Sequence, residues 1–194
     1  IPEDWPRIAG MDFGWTHNTS VIWAAMNPET YGTDAEEVVL YDCYSASKTP
    51  PHIHAAAIKT RGGVPIAWPH DGNRSDSMGN PGLAEQYRNL GLNLLPMHFS
   101  NPPALGEKKG SNNIEQGIQL MLTMMMEGRF QAFNTLTDFW TEIRMYHRKN
   151  SKIQPIRDDC MSACRYAVMS SRFALAGGDQ QWTGDIQYPD YGLV

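Results

Sequence analysis

The sequence predicts an α/β fold: a mixed central sheet with helices on both faces, built as one domain. Three observations predict it. The chain opens with three apolar runs of strand length and no helical repeat between them, the pattern of an antiparallel meander. Short apolar runs then alternate with stretches whose apolar residues recur at helical spacing. The 194 residues suffice for one domain with a real core. No internal repeat or interdomain linker interrupts them.

Each element has its own reason. "RIAGMDFG" reads as a strand and "TSVIWAAMN" as its antiparallel partner. "EEVVLYDCYSAS" is a third strand, and Val38, Leu40, Asp42 and Tyr44 alternating with Val39, Tyr41 and Cys43 predict burial on both faces. "PPHIHAAAIKTRGG" has a proline at its start and a glycine pair at its stop, the punctuation of a helix. "VPIAWPHDG" is a short buried strand ending at Asp71. "PGLAEQYRNLG" is a helix, with Gly91 just past its end. "LNLLPMHF" returns as a strand. "SNPPALGEKKGSNN" is a loop, expected to be mobile.

"IEQGIQLMLTMMMEGRF" is a helix whose stripe of Ile114, Ile118, Met121, Leu122, Met125 and Met126 is expected to pack in the core. "LTDFWTEIRMYHRKNSKIQPI" reads as a helix ending near Tyr146, a basic turn and a short extended segment. "RDDCMSACRYAVMSSRFALAG" closes the core as a helix, with Met161, Cys164, Val168 and Leu175 near one face. The core should run over about 5–177, and the tail 178–194, rich in Gly, Pro and Tyr, should be irregular and drape over it. A meander followed by alternating helices and strands is the general outline of ribonuclease-H-like folds.

Hydrophobic content of 41% and charged content of 19% are those of a globular domain. No apolar run approaches the roughly 20 residues of a membrane helix. Cys43, Cys160 and Cys164 are odd in number and widely spaced, which suits a reducing cytoplasm better than a disulfide framework. Cys160 and Cys164 share a helix face but have no partners for a zinc site, and read as buried thiols. The net charge of −5 excludes a uniformly basic nucleic-acid coat yet permits a local basic groove. The start "IPEDW", without an initiator Met, suggests a piece of a longer protein. No G-x-x-x-x-G-K-[ST] loop, G-x-S-x-G elbow or H-E-x-x-H motif occurs. "PHIH" at 51–54 is read as polar residues at a helix start rather than metal ligands.

Carboxylates occupy three comparable places: Asp12 at the end of the first strand, Asp71 at the end of the fourth, and Asp158 and Asp159 at the start of the last helix. Ligands bind outside strand ends in α/β sheets. Three converging carboxylates suit hard cations such as Mg²⁺ or Mn²⁺. Two such ions about 4 Å apart can activate a water and stabilise the leaving oxygen of a phosphodiester. Asp12 and Asp71 also have an ordinary turn reading, and Asp158 and Asp159 a helix-start reading; their joint placement favours the site. Gly14 would let the chain turn beside it, and His70, beside Asp71, is the one histidine expected near it. Arg148, Lys149 and Lys152, with Lys108 and Lys109 in the loop, are candidate phosphate contacts.

These segments, from "WPRIAGMDFGWTHNTSVIWAA" through "IAWPHDG" to "RDDCMSACRYAV", resemble the C-terminal nuclease domain of tailed-bacteriophage terminase large subunits, most closely the headful-packaging members. The last motif, an acidic pair followed by "RYA", is the most specific. The resemblance implies a ribonuclease-H-like fold of the resolvase/integrase type. It implies a nuclease that cuts concatemeric double-stranded DNA with two Mg²⁺ or Mn²⁺ ions. Its partners would be an N-terminal ATPase domain absent from this sequence, the portal and the small terminase subunit, in the host cytoplasm at the procapsid. By motif match Asp12, Asp71 and Asp159 should hold the metal, with Asp158 beside them. Some relatives carry Asp where this chain has Ser162, which shifts weight onto Asp159. The rival readings are a junction resolvase of the same superfamily, a portal or capsid docking domain, and a sugar-kinase-like ATPase suggested by "DFGWTHNTS".

Overall fold

The computed structural model describes residues 1–74, 81–102, 110–150, 152–154 and 156–176. Five strands form one sheet: β1 (Arg7–Asp12), β2 (Thr19–Met26), β3 (Val38–Ala46), β4 (Ile66–Ala67) and β5 (Phe130–Ala132), in the order β4-β1-β2-β3-β5. The meander β1-β2-β3 is antiparallel, while β4 joins β1 and β5 joins β3 in parallel. The helices are α1 (Pro51–Lys59), α2 (Leu83–Asn89), α3 (Ile114–Met126), α4 (Thr137–Met145) and α5 (Asp159–Met169). A separate hairpin pairs β6 (Arg148–Lys149) with β7 (Lys152–Ile153).

Strand alternation sorts the helices between the two faces. Gly10, Ile22 and Cys43 are in register across β1, β2 and β3. Cys43 meets Cys160 of α5, Sγ to Sγ 3.7 Å, so this row faces α5. The adjacent row, Met11, Val21 and Tyr44, faces the other way. There the Tyr44 hydroxyl lies 2.9 Å from His54 Nδ1 of α1, and Phe13, two residues beyond Met11, stacks on Tyr87 of α2 at 5.5 Å. Ile8, Met11, Ile22, Trp23, Met26 and Leu40 are fully enclosed; each large apolar side chain buried in this way contributes about 1.5–3 kcal/mol. α5 is covered nearly all round.

Several expectations need correction. The strand expected up to Asp71 is only Ile66–Ala67. Pro69 has no N–H for the ladder, and Asp71 lies in a single 3-10 turn, His70–Asn73. "LNLLPMHF" reduces to one parallel bridge, Leu94 to Ile66, with Pro96 ending the pairing. β5 was not anticipated: it is three residues long, too short to show a period, and follows the left-handed Gly128 that ends α3. β3 is buried on both faces only over Val38–Leu40; beyond that it is half-buried.

The stripe on α3 is rotated from the one expected. Gly117, Met121 and Met124 face inward, whereas Met126 is 79% exposed and Ile114 and Leu122 are also exposed. Gly117 decides this, because it is the contact point with α5. In "PHIH", His54 is buried in the core and His52 is exposed. The loop lysines Lys108 and Lys109 and the tail 178–194 fall outside the described residues. No helix among the described residues is long and apolar enough to cross a membrane.

Candidate functional site

Asp12 is the last residue of β1 and pairs with Ser20. Alternation places it in the row of Gly10, on the α5 side. α5 starts at Asp159, with Asp158 at its N-cap. The two elements meet where neither has a side chain to spare. A Cβ on Gly10 would stand 1.9 Å from the Ala163 carbonyl oxygen and 2.6 Å from the Ala167 nitrogen. Gly10 therefore lets α5 lie directly on β1, and this contact carries Asp159 to the end of the strand that ends in Asp12.

The result is a cleft of about 680 Å³ whose lining includes Asp12, His17, Asp138, Glu142, Asp158 and Asp159. Asp71 arrives separately, exposed on its 3-10 turn, and is not part of that lining. Its charge still reaches Asp12. Burial, then Asp159, Asp71 and Asp158 in that order, push the Asp12 carboxyl up to about 8, against a smaller opposing effect of Arg165. Asp158 is raised too, by burial and by Asp159. Both shifts have the same leading cause, burial, and the neighbouring carboxylates add to it.

Among the described residues, no three His, Cys, Asp or Glu side chains are gathered tightly enough to grip an ion as they stand. The donor chemistry nevertheless suits hard divalent cations, which take carboxylate oxygens and relieve the repulsion that raises Asp12.

Two residues of the cleft were missed in the sequence. His17 Nδ1 lies 2.8 Å from Asp159 Oδ1. It sits in the β1-β2 turn, where the Thr19 hydroxyl donates to the Gly14 carbonyl at 2.8 Å and accepts from the Gly14 N–H at 3.1 Å. Its closeness to Asp12 in the same motif was the available signal. Glu142 on α4 is buried, and its Oε2 accepts the N–H groups of Cys160 at 2.7 Å and Met161 at 3.1 Å. It caps α5 from another helix, because Asp158 makes no side-chain cap bond. Burial, only partly offset by these bonds, pushes its carboxyl up to about 7. Nothing local marks a mid-helix glutamate as the cap of a helix that starts seventeen residues later. Arg157, just before Asp158, holds a left-handed backbone (φ 51°), strain of the kind found beside functional sites.

Glu142→Ala leaves two buried N–H groups without an acceptor and should destabilise by about 1–3 kcal/mol. Glu142→Gln keeps an acceptor and should lose less. Urea unfolding of the three proteins measures this, and equal midpoints for Ala and wild type would rule out the capping role.

The other sequence candidates are spread around the site. Gly14 belongs to the turn carrying His17. His70 is exposed and lies by His98, ring centroids 6.4 Å apart, rather than in the cleft. Arg148 is held by Glu115 in a bidentate pair of 2.7 and 2.9 Å. Lys149 and Lys152 are exposed and directly opposite each other on the β6-β7 hairpin.

Comparison with known proteins places the fold. Residues 9–171 match the model of the terminase RNaseH-like domain. The large terminase subunit of Salmonella phage P22 is 35% identical over 177 residues, 89% of this chain and 33% of the relative. That of Enterobacteria phage LP7 is 34% identical over 172 residues, 87% of this chain and 34% of the relative. The chain thus spans about a third of the length of these curated relatives. Among solved structures, the P22 large terminase nuclease domain superposes with a TM-score of 0.77 at 34% identity, covering 91% of this chain and 86% of that one. The large terminase of a thermophilic bacteriophage matches with a TM-score of 0.59 over 89% of this chain and 42% of that one; at 12% identity it shows the fold alone.

Proposed function

Because the chain belongs to the terminase RNaseH-like domain family, we propose that it is the metal-dependent endonuclease unit of a terminase large subunit, cutting concatemeric double-stranded DNA during genome packaging. The observation that carries this reading is the convergence of Asp12, Asp158 and Asp159 on one cleft, with Asp71 close enough to act on Asp12. Asp12, Asp71 and Asp159 would hold Mg²⁺ or Mn²⁺, two ions in all, with Asp158 at the margin. When bound, such ions supply Lewis acidity and a water of lowered pKa.

The chain's own residues do the rest. Asp12 gives up its proton on loading, since hard cations take the carboxylate. His17 orients the Asp159 carboxylate through their hydrogen bond. Glu142 fixes the first turn of α5, and with it both aspartates. Lys149 and Lys152, like charges directly opposite, disfavour the bare hairpin and suit a backbone phosphate between them. Arg148 stays the partner of Glu115 until an anion displaces it. Lys108 and Lys109 remain proposed phosphate contacts. An ATPase domain of the same polypeptide, the portal and the small subunit are the proposed partners, at the procapsid in the host cytoplasm.

Supercoiled plasmid tests the reading. The chain with Mn²⁺ should convert it to nicked and linear forms, excess EDTA should stop this, and added Mn²⁺ should restore it. Cleavage that persists unchanged in EDTA, or none in Mn²⁺, would falsify it.

A further inference from the structure

Arg165, on α5, is only 4% exposed. It makes no ion pair among the described residues, and its Nη1 has no hydrogen-bond partner. Its guanidinium stacks on Tyr166 at 4.5 Å and Phe99 at 5.5 Å. α3 makes room for its stem: a Cβ on Gly117 would stand 2.5 Å from Arg165 Cγ. A buried cation costs several kcal/mol unless an opposite charge answers it, and buried arginines are ordinarily paired. Arg165 also donates a hydrogen bond to Tyr166, and the charges of Asp12 and Asp158 feel it from a distance, but neither carboxylate forms an ion pair with it.

Arg165 lines a cavity of about 170 Å³ together with His70, Phe99, Asn112, Ile114 and Tyr166. Asn112 and Ile114 flank Asn113, the N-cap of the thirteen-residue α3, so the positive end of a long helix borders the same space. That segment is pinned: the buried Asn101 donates from Nδ2 to the Asn113 carbonyl at 2.7 Å and the Ser111 hydroxyl at 3.2 Å. Two independent features, a buried guanidinium with no ion pair among the described residues and a helix N-terminus, thus border one cavity. His70 of this lining immediately precedes Asp71 in the chain.

We propose that this cavity binds a phosphate oxyanion, with Arg165 as its cation, and that on DNA the group bound is a backbone phosphate adjacent to the one cut. The second half rests on the nuclease reading; the first does not. A guanidinium matches a tetrahedral oxyanion with paired N–H donors. Two phosphates of one strand held at once, one at the aspartates and one here, would set the strand's register in the site without reading its bases.

The test has two arms. Inorganic phosphate is titrated into metal-free protein in EDTA and followed by ³¹P line broadening. Arg165→Met removes the charge and keeps the stem's bulk, and a buried charge exchanged for an apolar group is often tolerated. Ile114→Glu puts a carboxylate at the cavity rim, on an exposed first helical turn where acid is favourable, and it carries the test if the first variant does not fold. Wild type should bind phosphate and both variants should weaken it at least about tenfold. In the second arm, plasmid nicking in saturating Mn²⁺, both variants should raise KM by about tenfold, and Ile114→Glu, which leaves the Arg165 charge in place, should keep kcat near wild type.

Weakened phosphate binding with an unchanged KM would leave a free-phosphate site and overturn the backbone contact. No phosphate binding by wild type, or equal binding by all three proteins, overturns the proposal. Phosphate binding by a wild type that never nicks DNA would defeat the nuclease reading and leave the anion site standing.

Discussion

Asp12→Asn should abolish the proposed Mn²⁺-dependent plasmid nicking while the protein stays folded. Asn keeps the volume and one oxygen of the side chain and removes its charge. Asp12 is the carboxylate on which burial and then Asp159, Asp71 and Asp158 all act, so it would be central to holding the ions. A bound metal's stabilisation of developing charge is worth several kcal/mol; losing about 4 kcal/mol of it slows the reaction roughly a thousandfold. Nicking at the wild-type rate by the variant would sink the assignment of Asp12.

The same variant separates folding from chemistry. The Asp12 carboxyl is raised to about 8 in the fold from an ordinary 3.8. Between those values the folded metal-free protein holds a proton that the unfolded chain has released. Stability from this group is therefore fully present below about pH 4 and is lost as pH rises towards 8. Asn cannot ionise and escapes that loss. Thermal unfolding in EDTA should show the variant gaining on wild type between pH 5 and roughly pH 8, and parallel profiles would show that the crowding is not felt.

Gly10→Ala breaks the seam between sheet and helix. The new Cβ meets backbone, the Ala163 carbonyl at 1.9 Å and the Ala167 nitrogen at 2.6 Å, and no side chain there can rotate out of the way. α5 has to lift from β1, or the strand has to bend. Overpacking of this kind costs about 3 kcal/mol, which for a domain of this length lowers Tm by roughly 6–12 °C. Asp159 moves with α5, so nicking should fall with stability, unlike in Asp12→Asn. A wild-type Tm in calorimetry would show that β1 and α5 have more room than the structure gives them. The pair of variants divides the site into what reacts and what brings the reacting groups together.

How much was legible follows from how local each signal is. The meander, α1 and α2 could be read because strand alternation, proline starts and glycine stops act over a few residues. Asp12 and Asp159 could be read because each lies at the edge of a regular element with a recognisable punctuation. The register of α3 could not be read: six apolar residues satisfy one helical stripe, but the face that turns inward is chosen by Gly117 meeting Arg165. Nor could Glu142, which acts on α5 from α4; His17, which acts from the β1-β2 turn, offered only its closeness to Asp12.

By itself the sequence determined the type and order of most elements, the acidic character of the site and the family, because these depend on residue type and short-range spacing. Only the tertiary structure decided which carboxylates crowd one another, which glycine permits it, and that a buried arginine makes no ion pair among the described residues. Those are properties of distances across the sheet, and no spacing along the chain encodes how closely one helix lies on one strand.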